Sequence, residues 1–151
     1  MPDDKGISLE DLAPGQIYRT GSFLMTAEAI KAFAREFDPQ YFHVDEDAAR
    51  DSLFGALAAS GWHTAAVTMK LLVSGPLQLQ GGHIGARLEE LRWPRPVLAG
   101  DELHVETEVL EMRPSESRPE HGWARVRTST FNQRNEVVQT SVGNLIMRRR
   151  P

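Results

Sequence analysis

Two side chains that can trade a proton, Asp38 and His43, stand close together in the run Phe37-Asp38-Pro39-Gln40-Tyr41-Phe42-His43. Five residues apart, they would not share a face of a continuous helix. Pro39 prevents such a helix, because it disfavours the α region for the residue before it. A loop here can therefore bend both side chains into one cleft. A carboxylate beside an imidazole supplies an acceptor and a switchable donor, enough to hold a water, take its proton and return one to a neighbouring atom. Spacing alone favours a plainer reading, in which Asp38 forms an Asp-Pro turn and His43 is a packed histidine. Further on, Ser60-Gly61 opens the most apolar helical pattern in the chain. The first N–H groups of a helix lack internal partners and carry the positive end of its dipole. Gly61 would let a carbonyl approach them. Taken alone, Ser60 as a cap and Gly61 as a turn residue explain the same pair.

Other chemistries find little support. There is no cysteine, hence no disulfide framework, thiolate metal site or cysteine nucleophile. His63, His83, His104 and His121 are scattered without metal-ligand spacing, so no metal is expected. Ser60 lacks a nucleophile-elbow context, and no helix pattern follows Gly81-Gly82 to make a phosphate loop. The 151 residues carry a net charge of −4, with a basic cluster only at Arg148-Arg149-Arg150. Nucleic acid is therefore an unexpected partner. No apolar stretch follows the polar start, so neither a signal peptide nor a membrane span is indicated, and a cytoplasmic protein is the default expectation.

The elements that must position these groups follow from periodicity. Residues 1–16 read as a loose lead-in and 17–25 as a first short strand. Thr26 caps an amphipathic helix over 27–37, carrying Ile30, Phe33, Ala34 and Phe37. Asp45 caps a second short helix reaching about Ser52. From Trp62 the apolar positions Trp62, Ala65, Ala66, Met69, Leu72 and Val73 match one helix face, with Val67 and Leu71 apolar on others. Such a helix is expected to be buried on most sides, with Trp62 and Met69 in the core. Strands are predicted over 84–93, 102–112, 123–131 and 137–147, where period-two alternation replaces the helical one. Helices followed by successive strands argue for a single α+β domain over residues 1–151, a long helix wrapped by a curved antiparallel sheet. Open edge strands predict pairing with a second subunit.

The run from Phe37 to Asp45 resembles the hydratase signature of the MaoC-like dehydratases, which include the (R)-specific enoyl-CoA hydratases. The family pattern is Asp-x-Asn-Pro-x-His. The aspartate-to-histidine spacing is the same here, with Gln40-Tyr41 in place of Asn-Pro and the proline moved to position 39. A subset of the family reads Asp-Pro-Gln-Pro-Phe-His. Ala59-Ser60-Gly61-Trp62-His63-Thr64 is similar to the family's helix start. Leu91-Arg92-Trp93-Pro94-Arg95-Pro96-Val97 with Gly100-Asp101 resembles its second-half strand and turn. The resemblance spans residues 10–148 and implies a hot-dog fold, usually paired as a homodimer. It implies that Asp38 acts as base on a water added across a trans-2-enoyl thioester, while His43 orients that water and relays a proton to the α-carbon. Delivery from one side gives syn addition and an (R)-3-hydroxyacyl product. The Gly61 N–H would bind the thioester oxygen. No metal or redox cofactor is implied, and coenzyme A enters as part of the acyl-CoA substrate. Met69 stands where the family often has a serine and receives no role. Thioester hydrolysis on the same architecture, or a non-catalytic acyl-CoA-binding partner subunit, are the alternatives. Arg87, Arg92 and Arg95 are available to steer a carboxylate or the coenzyme A phosphates.

Overall fold

The computed structural model describes residues 5–151. The chain runs β1 (Ile17–Arg19), β2 (Phe23–Leu24), α1 (Ala27–Phe37), α2 (Tyr41–Val44), α3 (Glu46–Ala49), α4 (Gly61–Ser74), β3 (Ile84–Arg92), β4 (Glu102–Pro114), β5 (His121–Phe131) and β6 (Val137–Arg148). The strands form one sheet in the order β1-β4-β5-β6-β3, with β2 also on β4. Each of these pairings is antiparallel.

Alternation along β4 sends Leu103, Val105, Thr107 and Val109 inward. Its other face is held by cross-strand ion pairs, Arg19–Glu106 at 2.9 Å and Arg127–Glu108 at 3.1 Å. Val67 and Leu71 of α4 pack with Leu103, Val105 and Val138 from the sheet and with Met25 and Ile30. This is the helix-on-sheet core that the pattern predicts. The α1 helix begins where expected, with the Thr26 hydroxyl accepting from the Ala29 N–H at 3.1 Å, and ends at Phe37 before Pro39. Asp45 caps α3 through the N–H groups of Asp47 and Ala48.

Four expectations need correction. The lead-in is not loose where it is described: Leu9 and Leu12 are buried in a second core with Leu77, Leu79, Val109 and Met147, and Ile7 bridges to Leu79. Its first four residues lie outside the described part of the chain. The segment 17–25 is two short strands, because the Thr20 hydroxyl takes the Val105 N–H at 2.9 Å and interrupts the backbone ladder. Between Pro39 and Asp45 the chain forms the one-turn helix α2 instead of a loop.

The fourth concerns α4. Its buried residues are His63, Thr64, Val67, Thr68 and Leu71. Trp62 and Met69, expected in the core, are 60% and 48% exposed, and Val73 on the same face is 47% exposed. On the buried face the Thr68 hydroxyl donates to the Thr64 carbonyl at 2.8 Å and meets the Thr130 hydroxyl at 2.7 Å, while His63 Nδ1 has no hydrogen-bond partner among the described residues. His63 stacks on Phe33 with ring centroids 4.6 Å apart. Burial holds the His63 imidazole below its usual pKa, in the neutral form.

Candidate active site

The site is assembled where α2 meets the extended stretch that leads into α4. The Ala58 N–H donates to the Phe42 carbonyl at 3.1 Å. In return, the Ala58 carbonyl takes the ring nitrogen Nδ1 of His43 at 2.6 Å. A carbonyl only accepts, so Nδ1 carries hydrogen and Nε2 is turned the other way. Nε2 faces Asp38 Oδ2 at 3.3 Å. A neutral imidazole would direct its Nε2 lone pair at a carboxylate. The arrangement is favourable when a proton lies between them, or when a water beside the pair donates to both.

Asp38 is the C-cap of α1, outside the helix in its backbone angles. Its Oδ1 accepts from the Gln40 amide at 2.6 Å, and the Ser60 hydroxyl lies close enough to stabilise the charged carboxylate. Burial alone would raise the Asp38 carboxyl. The Gln40 amide, the Ser60 hydroxyl and the charge of His43 oppose it and hold the group below the usual carboxylate range. Asp38 is thus ionised at neutral pH, with 19% of its side chain exposed against 6% for His43.

The start of α4 completes the site. The Ser60 carbonyl accepts from the His63 and Thr64 N–H groups at 2.9 and 3.1 Å. The Ser60 Oγ accepts from the Trp62 N–H at 3.3 Å. Among the described residues no acceptor takes the Gly61 N–H. This free donor lies at the positive end of the buried helix. Asp38, His43 and Gly61 line one open cavity of about 430 Å³. The three residues singled out by type and spacing are therefore brought together.

The structure changes the reason for a glycine at 61. A Cβ there would sit 2.6 Å from the Trp93 ring, so the vacant space belongs to an indole. Gln40, Ser60 and Trp93 are the site residues whose contacts the sequence reading missed. Each lies inside a run quoted for the family resemblance, Gln40 in the Asp-to-His run, Ser60 at the helix start and Trp93 in the second-half strand, but no local pattern shows their contacts. Of the three arginines, Arg95 lines the cavity and pairs with Glu136 at 3.0 Å. Arg92 pairs with Glu90, and Arg87 lies in a separate groove beside Met69. Among the described residues no group of three or more His, Asp or Glu side chains is placed to hold a metal ion. No helix among them is long and apolar enough to cross a membrane.

A long helix on an antiparallel sheet, with this pair at the helix start, is the hot-dog architecture of the MaoC-like dehydratases. Residues 11–131 match the MaoC like domain family, and the chain belongs to it. It is 57% identical to the MaoC-like dehydratase from Rhodospirillum rubrum, whose crystal structure superposes with a TM-score of 0.93 over 97% of this chain and 99% of that one. An (R)-hydratase from A. caviae involved in PHA biosynthesis is 29% identical, with a TM-score of 0.73 over 90% of this chain and 97% of its own. The uncharacterized protein YdeM of Bacillus subtilis (strain 168) is 34% identical over 143 residues, 94% of this chain and all of its own.

Replacing Ser60 by alanine tests how the carboxylate is held. A depressed carboxyl pKa contributes stability above the unfolded value, and that stability is lost as pH falls through the folded value. Ser60→Ala should raise the Asp38 pKa and shrink this contribution, while loss of the cap costs about 1 kcal/mol in addition. Carbon-detected NMR titration of the aspartate carboxyls reads the shift. An unmoved Asp38 resonance profile would show that Ser60 does not hold it.

Proposed function

We propose that this chain hydrates trans-2-enoyl-CoA thioesters and, in reverse, dehydrates (R)-3-hydroxyacyl-CoA thioesters. The observation that carries the reading is the Asp38–His43 pair, 3.3 Å apart in an open cavity that Gly61, whose N–H has no acceptor among the described residues, also lines. In the forward direction Asp38 takes a proton from a water lying against both side chains. The water oxygen bonds to the β-carbon, and the double-bond electrons move toward the thioester carbonyl. The Gly61 N–H and the helix start stabilise the resulting enolate oxygen, a donor worth roughly 10²- to 10³-fold in rate. Asp38 passes that proton to Nε2 of His43, which delivers it to the α-carbon, so that one water is added in total and both side chains return to their starting protonation. Both new bonds form on the face turned to the pair, which gives syn addition, and the likeness to an (R)-hydratase supports (R) as the configuration at the β-carbon. Coenzyme A is the acyl carrier, and no step calls on another cofactor. The likeness to an (R)-hydratase supports this direction of chemistry.

Hydration of crotonyl-CoA, followed by loss of enoyl absorbance and chiral analysis of the product, tests the reading. The wild type should give (R)-3-hydroxybutyryl-CoA. Asp38→Asn and His43→Ala should each lose about 10²- to 10⁴-fold in kcat. Release of free thiol in place of hydration would indicate a thioesterase, and an inert wild type on a broad enoyl-CoA panel would remove the proposal.

We also propose that two copies pair along β3. Its nine residues have β6 on one side only, and Ile84 and Leu88 are 50% and 59% exposed. Together with Trp62, Met69 and Val73 they leave an apolar face that pairing would cover. Light scattering after size exclusion should give twice the 16.9 kDa chain mass. Leu88→Glu should shift the protein toward the monomer. A monomeric wild type would contradict this arrangement.

A further inference from the structure

Gln139 is a polar side chain in the core, on β6 and 2% exposed, and the hydration chemistry makes no use of it. Donor and acceptor counts commit both of its ends. The Thr68 hydroxyl gives its one hydrogen to the Thr64 carbonyl at 2.8 Å. It can then only accept, from the Thr130 hydroxyl at 2.7 Å and from the Gln139 amide nitrogen at 3.4 Å. That turns the Gln139 carbonyl the other way, toward Trp93. The indole N–H can only donate, and it meets this carbonyl at 2.9 Å. Both ends therefore demand the same orientation of the amide. A line of bonds runs from Thr64 and Thr68 of α4, through Gln139 of β6, to the residue that follows β3.

Trp93 carries this order to the site. Its ring atoms lie 2.6 to 2.9 Å from where a Cβ at position 61 would be, so the indole stands in for the side chain that Gly61 lacks. A Cβ projects from the Cα and an N–H from the nitrogen. The ring thus backs the Cα of Gly61 without taking the direction of its N–H. Packing alone does not hold the ring in place, because Trp93 is 41% exposed and its aromatic neighbour Trp62 is exposed as well. An indole N–H swung outward would find water. The Gln139 carbonyl, buried and with no other donor among the described residues, would be left unpaired, a cost that keeps the bond closed. The hydrogen bond is the latch.

We propose that Gln139 is a positioning residue: by latching the Trp93 indole against Gly61 it fixes the first residue of α4, and with it the aim of the N–H at the developing enolate oxygen. This deepens the hydratase reading and rests on it for the place of the thioester oxygen. Such a donor acts through being held in advance toward the point where charge develops. A displacement of about 1 Å at a reacting centre costs roughly 100-fold in rate. Loss of the latch removes stabilisation made in the transition state, which lowers kcat and leaves KM in place.

Gln139→Met keeps the length of the side chain and removes the acceptor. In crotonyl-CoA hydration its kcat should fall about tenfold or more, with KM within about twofold of wild type. Trp93→Phe, which keeps a ring over Gly61 and loses the N–H, should show the same split. Adding Gln139→Met to it should cost little more, since both changes break one bond. The indole resonance missing from Trp93→Phe identifies Trp93 in amide NMR spectra. In Gln139→Met that N–H should exchange with solvent about tenfold or more faster, and the Gly61 amide resonance should move. Thermal melting checks each fold. If Gln139→Met does not fold, Trp93→Phe decides: the same loss of kcat supports the latch, and an unchanged kcat overturns it. An unchanged kcat in folded Gln139→Met, losses that add in full, or an unmoved Gly61 amide would also overturn it. A wild type inert on enoyl-CoA esters would remove the hydratase reading instead, and the Gly61 amide in Gln139→Met would then decide whether the latch stands.

Discussion

A two-bond clamp between α2 and Ala58 is the constraint on which the site depends. One bond joins backbone to backbone, Ala58 N–H to Phe42 carbonyl, and the other joins the His43 ring to the Ala58 carbonyl. The second bond settles which ring nitrogen carries hydrogen and which faces Asp38. The same extended stretch is tied on its other side, where the Ala59 N–H donates to the Val97 carbonyl at 2.8 Å. One residue later Ser60 caps α4 and lies close enough to stabilise the Asp38 carboxylate. Four elements distant in the chain are thereby brought to bear on two side chains. The clamp is buried, so breaking either bond leaves a polar group without water.

Behind the clamp, the buried face of α4 is unusually polar for a core helix. Thr64, Thr68 and His63 face inward, and the apolar Trp62, Met69 and Val73 face out. Thr68 joins Thr130 and Gln139, and Gln139 holds the Trp93 indole. A network of this kind fixes orientation, because its members are costly to leave unpaired. The outward apolar stripe has the opposite character. It adjoins the exposed β3 edge, so the pairing proposed along that edge would cover it.

Much of the architecture was legible from local rules. Thr26 and Pro39 mark the ends of α1, and alternation marks β4, β5 and β6, because caps, prolines and period two act within a few residues. The aspartate-to-histidine spacing was legible too, and the family resemblance turned it from a turn into a candidate site. What escaped depends on packing between distant segments. Counting apolar residues chose the wrong face of α4, since threonine satisfies its hydroxyl on its own helix and can be buried at little cost. The four residues of α2 are too few to show a period. Leu9 and Leu12 looked like part of a linker until the second core was seen around them. The role of Gly61 as room for Trp93 is visible only once the end of β3 is placed beside α4.

The central claim is that a thioester oxygen sits on the Gly61 N–H while the β-carbon faces Asp38 and His43. A crystal structure of the Asp38→Asn variant with crotonyl-CoA bound tests it most directly. The account predicts the thioester oxygen about 3 Å from the Gly61 nitrogen, with the double bond opposite the side chains at 38 and 43. An acyl group lodged elsewhere, or turned so that its carbonyl points away from the start of α4, would contradict it.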